Sequence, residues 1–398
     1  LSSMSSTSFK KIVLHPAKER SLSLRHPWVF SGAVKKADPL LVEGEIVEVV
    51  SSLGDYLATG HFHEGSIKVR VFSFQATDAG NEFWLGKFRA ALALRQRLFL
   101  INNPATTAYR LIHGEGDGFP GLIVDVYGQA IVLQAHTLGM YQLMNVFSEC
   151  LKKIFGDTIN VLYDKSSESL GRQLPVGNSN SFLLGDDPEM TVLENGIQFK
   201  VNYVEGQKTG FFLDQRDNRQ LLRHYSDGKS ILNTFCYSGG FSLAALAGGA
   251  KKVISVDSSA KATALASENS ALNGYNNHEI ITDDVFDFLR NNQEEFDIVV
   301  LDPPAFAKHL SAVDKAVIGY RNLNVQGLKK VKQGGLLFTF SCSQVIDKHL
   351  FRKVIFQAAA QSGRNVRILH QLTQGADHPI SIYHPEGEYL KGLVLYVD

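Results

Sequence analysis

The spacing of apolar positions changes rhythm twice along the chain. Between residues 10 and 75 it is short and alternating. Ile12-Val13-Leu14, Glu45–Val50, Tyr56–Gly60 and Ile67–Phe72 are separated by turn residues such as Leu53-Gly54-Asp55, the signature of β-strands in a small barrel. A helix is predicted from about Glu82 to Leu100, with Phe83, Leu85, Phe88, Ala91, Leu92, Arg95 and Leu98 near helical spacing. Residues 109–200 read as an α+β unit. Leu122–Tyr127 and Ala130–Gln134 flank a Gly128-Gln129 turn, a helix runs from about Gly139 to Phe155, and strands lie near Asn160–Tyr163 and Gln198–Asn202. The polar stretch 171–187 is expected to be a loop. From about residue 203 strands alternate with helices: Ser230–Asn233, 240–248, Lys252–Asp257, 260–273, Glu279–Thr282, 285–291, Asp297–Leu301, 314–331 and Gly335–Phe340. That βαβ punctuation predicts an α/β class with a mostly parallel, doubly wound sheet. The expected division is 1–76, 77–200 and 201–398.

Composition narrows the picture. A chain of 398 residues exceeds one ordinary core. No long apolar run marks a membrane helix, and the polar start Leu1–Ser6 reads as disordered, not as a signal peptide. Cys150, Cys236 and Cys342 are odd in number and far apart, which gives neither a disulfide framework nor zinc spacing and points to a reducing cytoplasm. His61 and His63 alternate along a strand without a third ligand, so no metal is expected, and they are read as surface or RNA-facing. The 40 basic residues balance 40 acidic ones, yet residues 1–36 hold Lys10, Lys11, Lys18, Arg20, Arg25, Lys35 and Lys36 against Glu19 alone. A basic end on a neutral protein supplies local phosphate contacts or is simply a solvated face.

The candidate chemistry lies at strand ends of the last segment. Ile231–Thr234 runs into Phe235-Cys236-Tyr237-Ser238-Gly239-Gly240, a glycine turn before a helix. It is not Gly-x-Gly-x-x-Gly, so the dinucleotide fingerprint is missing. Asp257 ends the next strand, suited to a ribose diol, and Asp284 follows the third, placed for an adenine amino group. Each acid alone is an ordinary helix cap. Three successive strand ends matched to one nucleoside point to S-adenosylmethionine. Two further apolar runs stop at Asp302-Pro303-Pro304-Ala305-Phe306 and Ser341-Cys342-Ser343. If those strands are neighbours, an acid and a thiol share one crevice. A thiolate added to C6 of cytosine makes C5 nucleophilic. Asp302 is placed to bond the N3/N4 edge, Pro303-Pro304 to fix the backbone and Phe306 to stack on the base. The bland alternative for Cys342 is an inert buried thiol. Cys236 is read as packing filler.

These residues resemble the bacterial 23S rRNA cytosine-5 methyltransferases with an N-terminal PUA domain, over nearly the whole chain. The resemblance rests on His26-Pro27-Trp28-Val29-Phe30-Ser31-Gly32-Ala33-Val34, Tyr109–Ile112 with Asp117–Gly121, Gly206-Gln207-Lys208-Thr209-Gly210-Phe211-Phe212-Leu213-Asp214-Gln215-Arg216, Asp302–Phe306, Gly319–Asn324, Ser341–Ser343, Ala376–Pro379 and Pro385–Gly392, in the family's order. It implies a PUA-like barrel, a central α+β domain and a Rossmann-like class I methyltransferase domain. Cys342 would be the nucleophile and Asp302 the base-holding acid. Phe235, Tyr237, Ser238, Gly239, Gly240, Asp257 and Asp284 would surround S-adenosylmethionine, with Phe212, Asp214 and Arg216 close by. Arg25, Trp28 and Lys35, with Pro303 and Phe306, would meet RNA. The implied partner is 23S rRNA or a large-subunit precursor, in the cytoplasm, with a homodimer as an option and no membrane. Better-known RNA cytosine-5 enzymes carry a second Cys where this chain has Ala305, and Asn233 stands where many methyltransferases place an acid.

Three other functions compete. Guanine-N7 methylation needs no thiol. A non-catalytic RNA-binding assembly factor would keep the fold without the reaction. A nicotinamide oxidoreductase lacks its fingerprint here.

Overall fold

Alternation in the first 75 residues yields one six-stranded sheet. The computed structural model describes residues 9–174, 176–307 and 309–398; the polar opening segment lies outside the described residues. β1 (Lys10–Leu14), β2 (Trp28–Phe30), β3 (Val34–Lys36), β4 (Ile46–Val50), β5 (Tyr56–Phe62) and β6 (Ile67–Ser73) are ordered β2-β6-β5-β4-β1-β3. Successive side chains of a strand face opposite ways, so Ile12, Leu14, Val47, Val49, Val69 and Val71 share one core. β2 and β3, three residues each, are too short for alternation to predict.

The second unit packs α1 (Asn81–Arg97) and α2 (Met144–Phe155) on a five-stranded sheet ordered β11-β10-β9-β8-β7. Its strands are β7 (Ala108–His113), β8 (Leu122–Tyr127), β9 (Ala130–Ala135), β10 (Val161–Asp164) and β11 (Ser181–Leu184). Two expectations are corrected. The stretch 171–187 is not all loop, because β11 pairs with β10 at the sheet edge. His61 and His63 do not face solvent or RNA. His61 is 1% exposed, sits 5.0 Å from the Phe72 ring and presses so closely on Gly139 that a Cβ there would lie 2.3 Å from its ring. His63 Nδ1 shares a 2.6 Å hydrogen bond with Glu43. His61 serves the seam between the first two units, and His63 an ion pair within the first.

The last unit opens with the hairpin β12 (Glu189–Glu194) and β13 (Ile197–Asn202), then α3 (Arg216–Tyr225). A seven-stranded sheet follows: β14 (Ser230–Thr234), α4 (Gly240–Ala247), β15 (Lys252–Asp257), α5 (Ala260–Leu272), β16 (His278–Thr282), α6 (Val285–Asn291), β17 (Phe296–Leu301), α7 (Val313–Lys329), β18 (Val331–Ser341), α8 (Lys348–Ser362), β19 (Val366–Leu372) and β20 (Lys391–Val397). The order is β16-β15-β14-β17-β18-β20-β19, parallel as far as β18, with β20 antiparallel between β18 and β19. Apolar residues cover both faces: Leu232, Val256 and Val299 on one, Ile231, Val253 and Ile298 on the other. The sequence leaves β14 in opposite directions towards β15 and β17, so the crevice at its carboxyl end is where ligands bind such sheets.

Buried ions lock the second and third units together. Arg95, wholly buried on α1, donates to both Asp117 oxygens at 2.6 and 2.8 Å, to the Arg110 carbonyl at 2.7 Å and to the Asp377 carbonyl at 2.8 Å. Removing one partner of such a pair strands a buried charge. Arg95→Met is expected to cost about 3–5 kcal/mol, read as an earlier urea midpoint followed by fluorescence and circular dichroism.

Candidate active site

Five strand ends of the parallel sheet, those of β14 to β18, build the site, and each holds its groups by local chemistry. The turn after β14 is strained: Phe235 has φ +53°, Tyr237 φ +47° and Gly239 φ +81°. Side chains rarely adopt such angles outside functional sites. Gly239 is also hemmed in, since an added Cβ would lie 3.1 Å from Leu243 and 3.3 Å from Ala266. Asp257 braces the turn, its Oδ2 accepting from the Tyr237 N–H at 3.0 Å and its Oδ1 from the Ser259 N–H at 2.9 Å. The Ser238 carbonyl accepts from Asn269 Nδ2 at 3.0 Å, and Gly240 begins α4. Asp284 caps α6, accepting from the Asp287 N–H at 3.1 Å, with its side chain exposed.

The segment before α3 closes the crevice. Phe212 stands edge-on to Tyr237 with ring centroids 5.2 Å apart. Asp214 is buried; its Oδ2 accepts from the Tyr389 hydroxyl at 2.7 Å, while its Oδ1 has no partner. Gln215 Oε1 accepts from Asn218 Nδ2 at 2.6 Å, which turns the Gln215 Nε2 towards the Asp302 carboxyl without a formed hydrogen bond. Arg216 is less a ligand than a strut, donating to the Ala108 carbonyl at 2.8 Å and to Asp377 Oδ2 at 3.0 Å. Asn233 spends its amide N–H on Ser242 Oγ at 2.8 Å and leaves a buried Oδ1 unpartnered.

β17 and β18 are parallel neighbours in register Leu301↔Thr339, so Asp302 and Cys342 emerge side by side, as their strand-end positions predict. Cys342 is partly exposed, whereas Cys150 and Cys236 are buried. Burial, with the Asp257 charge behind it, pushes the Cys236 thiol up to about 12, consistent with packing. Burial and the neighbouring Asp302 also raise the Cys342 thiol, against the pull of Lys208 and Lys391. Asp302 keeps part of its surface open but is crowded from every side. That crowding, and then the charge of Asp214, lifts its carboxyl to about 7. Asp214 moves the other way. Burial opposes ionisation, but Lys208, His378 and the Tyr389 hydroxyl overrule it and hold the acid near 2.

Other sequence-singled residues are placed differently. Pro303 is buried, and Phe306 is already stacked on Tyr320, with centroids 4.6 Å apart. Trp28 belongs to the joint between units: its indole N–H bonds Glu115 at 2.8 Å and its ring lies 4.4 Å from His384. Arg25 and Lys35 stay exposed, Arg25 lying over the Phe74 and Tyr383 rings. Lys208, Gln215, Tyr389 and Lys391 lie in segments singled out above without a role attached to them. Lys208, its ammonium 4.7 Å from the Phe212 ring, is the exposed cation over the crevice. The segment carries the resemblance, but the place of this lysine over the crevice shows only in the folded loop.

S-adenosylmethionine combines a nucleoside with an ammonium and a carboxylate. The crevice offers Asp257 at the end of β15, a buried unpartnered carboxylate oxygen on Asp214 and a buried unpartnered N–H donor on Gln215. Unpartnered buried polar atoms are costly unless a ligand satisfies them, so these groups fit the molecule.

Known proteins agree. A model for S-adenosylmethionine-dependent methyltransferases matches residues 172–376, and one for a PUA-like domain matches residues 12–74. Ribosomal RNA large subunit methyltransferase I of Alteromonas mediterranea is 39% identical over 395 residues, covering 97% of this chain and 98% of its own. The protein of that name from Photobacterium profundum is 38% identical, covering 97% and 99%. The solved structure of SMU.776 complexed with SAH shares the fold, with TM-score 0.84, 24% identity and coverage of 98% of this chain and 100% of that one.

The raised acid carries a stability signature. Unfolded, Asp302 loses its proton near the ordinary 3.8; folded, it keeps it to about 7. Its contribution is therefore full below pH 4 and is lost as pH rises to 7 and beyond. Asp302→Asn is expected to raise the thermal midpoint at pH 8 by roughly 1 °C per kcal/mol relieved, and to have little effect at pH 4. A scan at both values checks it.

Proposed function

The chain belongs to the S-adenosylmethionine-dependent ribosomal RNA large subunit methyltransferase I family, and from that premise we propose that it methylates C5 of a cytosine in 23S rRNA through a Cys342 adduct. The observation that carries the reading is the pairing of a partly exposed thiol with an acid near pKa 7 on adjacent strand ends. An acid half-protonated at neutral pH is matched to give and take one proton.

When bound, S-adenosylmethionine supplies an electrophilic methyl group. Phe212, Asp214, Phe235, Tyr237, Ser238, Gly239, Gly240 and Asp257 would hold it, with Asp284 at the outer rim and Arg216 fixing the segment that carries Asp214. Asp302 donates its proton to N3 of the cytosine as the Cys342 thiolate bonds to C6, which leaves C5 electron-rich. After methylation, transfer of the C5 proton to solvent water expels the Cys342 thiolate and restores the C5–C6 double bond. The N3 proton returns to Asp302. With Ala305 at the Asp-Pro-Pro turn, no second thiol there assists release. Phe306 and Pro303 shape the floor beneath the base. Arg25 and Lys35 on the PUA-like unit contact RNA phosphates, in the bacterial cytoplasm. Exposed cations of this kind supply salt-sensitive affinity.

Labelled methyl transfer to protein-free 23S rRNA, followed by nucleoside analysis, tests the reading. Wild type is expected to give 5-methylcytidine and Cys342→Ala at least 1000-fold less, an order of magnitude set by loss of a covalent nucleophile. 7-Methylguanosine, or activity that survives the substitution, would overturn it.

A further inference from the structure

β20 begins at Lys391, whose register partner on β18 is Ser341, the residue before Cys342. The Lys391 side chain is 5% exposed and runs under the turn that follows the thiol. Its ammonium donates to the Ser343 carbonyl at 2.6 Å and the Ile346 carbonyl at 2.5 Å. The Ser343 carbonyl also accepts from the Ile346 N–H at 3.1 Å, and the Ser343 hydroxyl is 2.9 Å from that of Tyr320. The turn carrying Cys342 is thus closed from below by one cation.

That cation is in no ion pair among the described residues. Glu388 is taken by Lys348, and Asp347 caps α8 by accepting from the Leu350 N–H at 2.7 Å. A buried ammonium held by carbonyls alone lacks a counter-charge. Burial draws the ammonium down to about 8, so it is charged at neutral pH and below, and its strongest favourable charge partner is Cys342, ahead of Glu388 and Asp347. Facing the thiol are the acids Asp302 and Asp214, the cations Lys208 and Lys391, and the phenols of Tyr320 and Tyr389. Lys208 is half-exposed and water screens it; Lys391 is not.

We propose that Lys391 is the positioning residue for Cys342: it clamps the turn that presents the thiol and provides the buried counter-charge of its thiolate. The proposal rests on reading Cys342 as the nucleophile, but its test needs neither RNA nor methyl transfer. Alkylation by iodoacetamide is followed against pH on the full chain, with each cysteine resolved by mass spectrometry and the buried Cys150 and Cys236 as internal references. Lys391→Met is expected to move the Cys342 titration upward by about one pH unit and slow alkylation at pH 7.5 about tenfold; Lys391→Arg is expected to stay within threefold of wild type. An unshifted titration in a folded Lys391→Met protein would overturn the proposal, whatever Cys342→Ala does to methylation. If the Met variant does not fold, wild type is alkylated in 0.05 and 1 M KCl. A rate that holds supports a buried cation, whereas a loss of more than threefold assigns the effect to exposed Lys208 and overturns it.

Discussion

A single buried carboxylate, Asp377, holds the molecule in its working shape. One of its oxygens accepts from the Arg110 backbone N–H of β7 at 2.9 Å and from Arg216 of α3 at 3.0 Å; the other accepts from His378 at 3.0 Å. Burial alone would favour the neutral acid, but Arg216 and His378 hold it well below the ordinary range. Arg110 in turn grips Asp125 at 2.7 and 2.9 Å, and Asp125 receives Thr209 from the crevice loop at 2.5 Å. A buried charge is tolerated only with its partners in place. Backbone from the central unit, the helix carrying the crevice segment and the segment after β19 therefore have one mutual arrangement. Asp214, Gln215 and Tyr389 take their positions from it.

That arrangement separates two carboxyl groups that would otherwise behave alike. Asp214 and Asp302 both face the crevice, and the charge of Asp214 disfavours ionisation of Asp302. Asp214 receives a phenol and a nearby ammonium and stays ionised; Asp302 receives no formed hydrogen bond from Gln215 and keeps its proton to about 7. Environments that push two acids apart assign them different work. The ionised one suits a cation, and the protonated one a hydrogen-bond acceptor.

Much of this was legible from the chain because apolar runs ending in reactive residues mark parallel strands. Asp257, Asp302 and Cys342 all emerge at strand ends where their spacing puts them, and the β14 turn precedes a helix as expected. What was hidden has physical causes. α3, Arg-Asp-Asn-Arg-Gln-Leu-Leu-Arg-His-Tyr, buries Arg216 and Arg219 by ion pairing and Asn218 by hydrogen bonding, so no hydrophobic period announces it. Trp28 and His61 look like surface ligands in sequence, but seams between units bury polar-edged rings that no strand pattern distinguishes from exposed ones. Gln215 and Lys391 gain meaning only from neighbours distant in sequence.

The strained turn links the two halves of the crevice. Residues other than glycine held at positive φ cost about 1–3 kcal/mol each, so Phe235 and Tyr237 persist there because other contacts fix them. Tyr237 does this through both ends. Its N–H is taken by Asp257, while its hydroxyl donates to the Gly210 carbonyl at 3.1 Å and accepts from the Gln207 N–H at 3.1 Å. The loop 206–210 carries Lys208, the cation that faces Asp214, Asp302 and Cys342. Asp257, Tyr237 and the loop that carries Lys208 are therefore one continuous hydrogen-bonded chain, so the acid at the end of β15 and the cation over the reactive strand ends owe their placement to the same tyrosine.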